Sequence, residues 1–388
     1  MLHKAMGTPF VYDKYVTGKD FIGRTDECRK LGELIAQGRS VSIYEPSKAG
    51  KTSVIQQTLF GLRLKGTQFI TASLSLLNVR STGDFLKRFG TAVLRSIAST
   101  PGEFADLIDR HLGGTHFRFD PAVYEGDDTI ISIDGQADSG DMAGMMRLPQ
   151  RIAADKGQQV LVVIDEFQNI MLTDDGDRIC RTMEAEITDP AQKGTPSSLF
   201  ILCGSMVNAM KEIFETRHLF GRKVEHLEIG QADEREIIDH IVKGFLTGGK
   251  IVEKELLLGM CRLFRNNLWY INHFVSICDA MSKGYIPESM LMEGLDAIIA
   301  IHEPRFQGIM YNLTSYQVSF LKAVLDGVVK FSAGEVIQKY GLNSSANVKR
   351  LRDALLKKEI IVFDKDDIPS LQDPLFEYWV RRYYYEMQ

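Results

Sequence analysis

The chain has 388 residues, a formal net charge of -5 and 25% charged residues, a composition ordinary for a globular protein with room for two or three domains. That balance excludes a surface built throughout for nucleic acid, although a local basic face can hide inside the average. No stretch approaches the roughly 18 apolar residues of a membrane span, the start holds no long apolar run, and five scattered cysteines lack ligand spacing, so a cytoplasmic protein with reduced core thiols and no membrane partner is expected.

After an arm over residues 1–20, "GRTDECRKLGELIAQG" sets Cys28, Leu31, Leu34 and Ile35 at helical spacing and stops at Gly38. "SVSIY" reads as a strand, "EPSKAGKT" as a loop and "SVIQQTLFGLRL" as a helix. "QFITASLSLL" is a second strand, followed by an amphipathic helix capped by Ser81 or Thr82. Between Thr115 and Ala143 two alternating stretches separated by Gly and Asp predict an inserted hairpin and a polar loop. A helix over "DMAGMMRLPQRIAADKG", disturbed at Pro149, leads to the apolar run Val160 to Ile164, the mark of a strand buried on both faces of a parallel sheet. A helix around "RICRTMEAEI" and a strand "SLFILCGS" complete an α/β domain, placed at 21–230. Helices then take over through "DEREIIDHIVKGFL", "EKELLLGMCRLF" and "LWYINHFVSICDAMSKG", a helical lid over 231–306. From 307 to 388, three helices and a hairpin with a Lys-Asp-Asp tip predict a winged helix-turn-helix domain. The expected fold is thus α/β, a P-loop parallel-sheet domain followed by a lid and a winged helix.

The loop "EPSKAGKT" departs from G-x-x-x-x-G-K-[ST] only at Glu45. In such a loop successive backbone N–H groups form a nest at a helix N-terminus, where aligned peptide dipoles favour an anion. The segment Pro46, Ser47, Lys48, Ala49, Gly50, Lys51, Thr52 and Ser53 is therefore the expected site for ATP or ADP. Gly50 lets the backbone approach phosphate, Lys51 reaches the β- and γ-phosphates, and the Thr52 hydroxyl suits the shell of Mg²⁺. Glu45 is expected to take an uncommon backbone angle at a cost of ~1 kcal/mol, its carboxylate turned from the phosphates. A second acidic strand end should orient the metal, and "VLVVIDEF" supplies it, with Asp165 for Mg²⁺ and Glu166 to activate the attacking water. Ser205, ending another strand, stands where a γ-phosphate sensor would sit, a position that turn chemistry alone also favours.

Taken together, "FIGRTDECRKL", "YEPSKAGKTSV", "VLVVIDEFQNI", "FILCGSM" with "LFGRK", and "LQDPLFEYWVRR" resemble the archaeal-type ATPases of the STAND branch of the AAA+ class, from Phe21 to about Arg382. The resemblance implies that Phe21, Ile22, Gly23 and Arg24 lie beside the adenine and phosphates. It also implies that Arg222, in Leu219–Arg222, is a γ-phosphate or intersubunit contact, serving a nucleotide-dependent homo-oligomer. In the lid, Asn266, Asn267 and Leu268 replace the family's usual proline-containing turn.

The helix "SSANVKRLRDALLKKEI" carries Lys349, Arg350, Arg352, Lys357 and Lys358, with Ser344 or Ser345 as cap, and could lie in a DNA major groove. Asp353, Glu359 and the acidic wing tip oppose that. Two functions follow: an ATP-driven switch, hydrolysing ATP to ADP with a protein or DNA recipient, or a DNA-binding regulator in which nucleotide is structural. No motif of a small-molecule kinase is visible, and no effector such as a nuclease is expected beyond the winged helix.

Overall fold

The computed structural model describes residues 8–126, 129–187 and 196–387, and divides into two compact units. One holds 25–47 and 54–229; the other gathers the segments up to 24, 48–53 and from 230 onward. The first seven residues of the expected arm lie outside the described residues.

The first unit opens with helix α1 (Thr25–Ala36), whose chain turns at Gly38 with φ +76 into strand β1 (Ser40–Tyr44). Helix α2 (Lys51–Leu64), strand β2 (Phe69–Ser75) and helix α3 (Thr82–Arg95) follow, and Ser81 rather than Thr82 caps α3 by accepting the Asp84 amide. A helix the sequence reading omitted, α4 (Pro101–Leu112), is fixed by a capping box of Thr100 and Glu103. The insert pairs β3 (Phe117–Phe119) antiparallel with β4 (Ile131–Ile133). A short helix α5 (Pro121–Gly126) stands between them in place of a tight turn.

Helix α6 (Ser139–Lys156) runs without a break through Pro149, contrary to expectation. Its buried face of Met142, Met145, Met146, Leu148, Ile152 and Ala153 outweighs the ~3 kcal/mol that an interior proline costs. Strand β5 (Gln159–Asp165), helix α7 (Gly176–Glu186), strand β6 (Ser198–Gly204), helix α8 (Val207–Lys211) and strand β7 (Val224–His226) complete the unit. The five long-sheet strands lie in the order β2-β5-β6-β1-β7, every pair parallel. Val160, Val162 and Ile164 share a core with Phe85, Phe89, Phe200 and Leu202, while the alternate Leu161 and Val163 are also buried, which is why the run is apolar throughout.

The second unit begins in helix α9 (Glu234–Thr247), capped by Asp233. Strand β8 (Ile251–Val252), helix α10 (Lys254–Leu263), helix α11 (Leu268–Met281) and strand β9 (Tyr285–Ile286) follow, with β8 and β9 forming a small parallel pair that the sequence reading did not anticipate. Helix α12 (Glu288–Tyr311) is 24 residues long and contains the 306/307 seam expected between lid and winged helix. Helices α13 (Ser315–Leu325), α14 (Gly334–Tyr340) and α15 (Ser345–Lys357) then lead to the hairpin of β10 (Ile361–Phe363) and β11 (Pro369–Leu371), and α16 (Pro374–Trp379) runs on into a π-helical turn over Val380–Tyr384. Ser344 caps α15, and Gly341 turns the chain at φ +63 before it. One apolar core runs from Phe10 of the arm through Phe245, Phe274 and Phe306 to Phe376 and Trp379, so among the described residues no separate core marks off the winged helix. No helix among the described residues is long and apolar enough to cross a membrane.

Candidate nucleotide site

The loop leaves β1 at Glu45 and enters α2 at Lys51. Glu45 is not among the residues with positive φ, which corrects the expected strain there. Its carboxylate instead accepts the Ile229 amide at 3.1 Å. The left-handed positions are Lys48 at φ +67 and Gly50 at φ +93, so the bend falls in the second half of the loop. A Cβ at Gly50 would collide with the guanidinium of Arg24, whose Nη1 donates to the Ala49 carbonyl. Arg24 is itself left-handed at φ +54, a strain of order 1–2 kcal/mol that brings a cation to the loop.

A cavity of about 260 Å³ opens beside this loop. Lys48, Gly50, Lys51, Thr52 and Ser53 line it, with Phe21, Ile22 and Arg24 from the F-x-G-R stretch. Gly23, Pro46, Ser47 and Ala49 do not line it; a Cβ on Gly23 would meet Glu236 Oε2 at 2.8 Å. Lys51 is only 7% exposed. Ser53 Oγ accepts the Val16 amide at 3.2 Å and holds the arm to the loop.

Two contributors were missed in the sequence. The arm supplies Val11 to Val16 to the cavity wall, and α11 supplies Leu268, Trp269 and Asn272. The signal was present in "NNLWYINHF", because Leu268 and Asn272 are four residues apart on one helical face. The lid turn solves the missing proline by conformation: Arg265 and Asn266 take φ +49 and φ +55, and Asn267 caps α11 by accepting the Trp269 and Tyr270 amides. Asn272 Nδ2 donates to the Val11 carbonyl at 3.1 Å.

Around α11 the aromatic and charged groups interlock. The Lys48 ammonium sits 3.2 Å from the centre of the Trp269 ring. Loss of hydration there, followed by repulsion from Arg305, lowers its pKa to about 8. Tyr12 stacks on His273 at 4.2 Å. The Tyr270 hydroxyl donates to Asp373 at 2.8 Å, and Arg305 pairs with the same carboxylate at 2.6 Å.

In the sheet unit the acidic pair occupies the carboxyl edge. Asp165 is the last residue of β5, paired with Ser75, and its Oδ1 accepts the Glu166 amide at 3.0 Å. Glu166 is left-handed at φ +52, an outlier of the kind that clusters at functional sites. Its carboxylate accepts the Ser205 hydroxyl at 2.7 Å and the side-chain amide of Gln168. The structure thus brings Ser205 to Glu166. Gln168, two residues beyond Glu166 in "DEFQ" and 5% exposed, is a partner the sequence reading passed over.

Leu219 and Phe220 are 1% exposed and belong to the core, and Gly221 turns at φ +50. Arg222 is exposed and precedes β7, whose Val224 pairs with Ser40 at the start of β1. It therefore stands at the amino edge of the sheet, a strand length of roughly 15 Å from the edge of Asp165, Glu166 and Ser205.

Basic residues of the winged helix are partly committed. Arg352 forms a two-pronged pair with Asp367 of the wing at 2.5 and 3.2 Å and lies 3.8 Å over Phe363, and Lys358 donates to the Asn312 carbonyl at 2.8 Å.

The parallel sheet order, the glycine-lysine-threonine turn into α2 and the acidic end of β5 define a P-loop ATPase fold of the AAA+ type, followed by helices and a winged helix. A family described as a probable winged helix domain matches residues 304–382. A Walker-type ATPase of Pyrococcus abyssi is similar over 96% of this chain and 99% of its own, with TM-score 0.66 and 14% identity. The ORC2 protein of Aeropyrum pernix, in a structure of its ADPNP-ADP complexes, is similar over 92% and 93%, with TM-score 0.55 and 13% identity. Its ADP form gives TM-score 0.54 over 94% and 93% at 13% identity. At these identities the likeness is one of fold. A comparison with curated proteins found no match.

Proposed function

We propose that this chain is a cytoplasmic ATP-binding switch of the STAND kind, hydrolysing ATP to ADP slowly with Mg²⁺ and passing its state to a protein partner. The observation that carries the reading is the loop: left-handed at Lys48 and Gly50, opening α2 at Lys51, and lining a cavity with Arg24 and Thr52. Backbone amides at a helix N-terminus, one ammonium and one guanidinium suit a polyphosphate. The apolar wall from the arm and Trp269 suits a purine.

Thr52 and Asp165 each offer an oxygen donor of the type a hard divalent cation takes, and Mg²⁺ would offset charge on the phosphates. Glu166, fixed by Ser205 and Gln168, is the group that would orient water and take its proton. In this reading Ser205 serves through Glu166. Arg222, at the far edge of its own sheet, is assigned to contact with a second copy, in a nucleotide-dependent homo-oligomer.

The test is binding and turnover of ATP and ADP by wild type, Lys51→Ala and Glu166→Gln, with mass in solution recorded alongside. Lys51→Ala should lose tight binding, on the order of 100-fold for a charge-assisted contact of about 3 kcal/mol. Glu166→Gln should keep ATP and stop turnover. Equal affinity in all three defeats the assignment.

The second reading, a DNA-binding regulator, rests on the winged-helix match and on the exposed Lys349, Arg350 and Lys357 of α15. It is distinguished by DNA binding that survives Lys51→Ala.

A further inference from the structure

We infer that Lys48 and Trp269 form a relay that reports the occupancy of the phosphate loop to the winged helix, the ammonium leaving the indole when a polyphosphate enters the loop. The inference rests on the nucleotide reading of the same cavity.

Lys48 is a loop residue whose left-handed backbone, at φ +67, turns its side chain onto the first turn of α11. There the ammonium lies 3.2 Å from the Trp269 ring centre, so an aromatic face is the group that receives it. A phosphate oxygen is a stronger acceptor for an ammonium than an indole face. Both Lys48 and Trp269 line the cavity. A polyphosphate bound by the loop amides would therefore compete for this cation at short range.

What Trp269 touches makes the exchange consequential. Its ring meets Tyr12 of the arm at 6.1 Å, His273 at 5.3 Å and His302 of α12 at 5.6 Å. The adjacent Tyr270 hydroxyl is bound to Asp373, which Arg305 of α12 also holds. Asp373 is the N-cap of α16, accepting the Leu375 and Phe376 amides. A chain of direct contacts thus runs from the loop through one turn of α11 to the cap of the last winged-helix segment.

The chain has two tryptophans, so Trp379→Phe leaves Trp269 as its single reporter. Mg-ATP and Mg-ADP are titrated into this protein while calorimetry records binding independently. The expected result is a saturable change in Trp269 emission that follows the calorimetric curve. In the Lys48→Met form, at nucleotide levels that calorimetry shows to be saturating, the change should be lost. Amide exchange over α11 and α16, read in the chain with both tryptophans, should respond to nucleotide in wild type; Asp373→Asn keeps a capping side chain and should lose the response at α16 alone.

Several outcomes overturn the relay: binding without any emission or exchange change, an unaltered change in Lys48→Met, or complete loss of binding in Lys48→Met, which would make Lys48 only part of the phosphate grip. Absence of calorimetric binding to wild type defeats the nucleotide reading itself, and the relay with it.

Discussion

The carboxylate of Glu45 accepts the backbone amide of Ile229 at 3.1 Å, joining the end of β1 to the stretch that continues β7. The side chain that breaks the phosphate-loop pattern is therefore an anchor within the sheet unit. Glu45→Gly, which restores the pattern, should remove a hydrogen bond of about 1 kcal/mol and lower the melting temperature by roughly 2–4 °C without tightening ATP binding. Thermal scans beside calorimetric titration check this, and tighter binding at unchanged melting temperature would show Glu45 to be a handicap.

Ser205 and Gln168 both donate to Glu166. If Glu166 orients water, Glu166→Gln should cut single-turnover hydrolysis by about 100-fold or more while ATP remains bound. Ser205→Ala should leave affinity intact and slow hydrolysis roughly 10-fold, the equivalent of one net hydrogen bond, and Ser205→Thr should recover most of it. Loss of ATP affinity in Ser205→Ala would place this hydroxyl on the nucleotide instead.

Much of the sheet unit was legible because its signals are local. An apolar run from Val160 to Ile164 can only be satisfied between two layers, and the β1–loop–α2 order is written in consecutive residues. Glu45 was misjudged because its partner, Ile229, is 184 residues away and no periodicity announces it. Trp269 and Asn272 fell in a stretch read only as a lid helix, since an aromatic on a helix looks the same whether it faces core or cavity. Pro149 was overweighted: the rule for interior prolines is right about cost and silent about the buried face that offsets it.

His302 offers a pH test. Burial first, then repulsion from Arg305, Lys48 and His273, brings its pKa from 6.5 down to about 4, with Asp373 opposing. The unfolded chain takes up this proton near pH 6.5 and the folded chain only near 4, so stability should fall as pH drops through that window and be unaffected by this group above it. Urea unfolding of wild type and His302→Gln between pH 7 and 4 measures it, the variant showing the shallower decline. Parallel declines would mean that other groups carry the acid sensitivity.

In the winged helix, Asp367 holds the Arg352 guanidinium. If α15 meets DNA through phosphates, Asp367→Ala should raise affinity for duplex DNA several-fold and steepen the salt dependence by about one counterion. Mobility shifts across a salt series read this directly. No binding by either protein would leave protein partners as the recipient.

The continuous α12 has a mechanical consequence. Its 24 residues make a rod about 36 Å long with Leu291 in the core near one end, Ile299 at the middle and Phe306 near the other end. A stiff rod magnifies: a tilt of roughly 10° at its first turn would carry its last turn about 6 Å, the width of a helical turn. Small adjustments where α11 grips it would arrive at the wing as displacements large enough to uncover or hide a binding face.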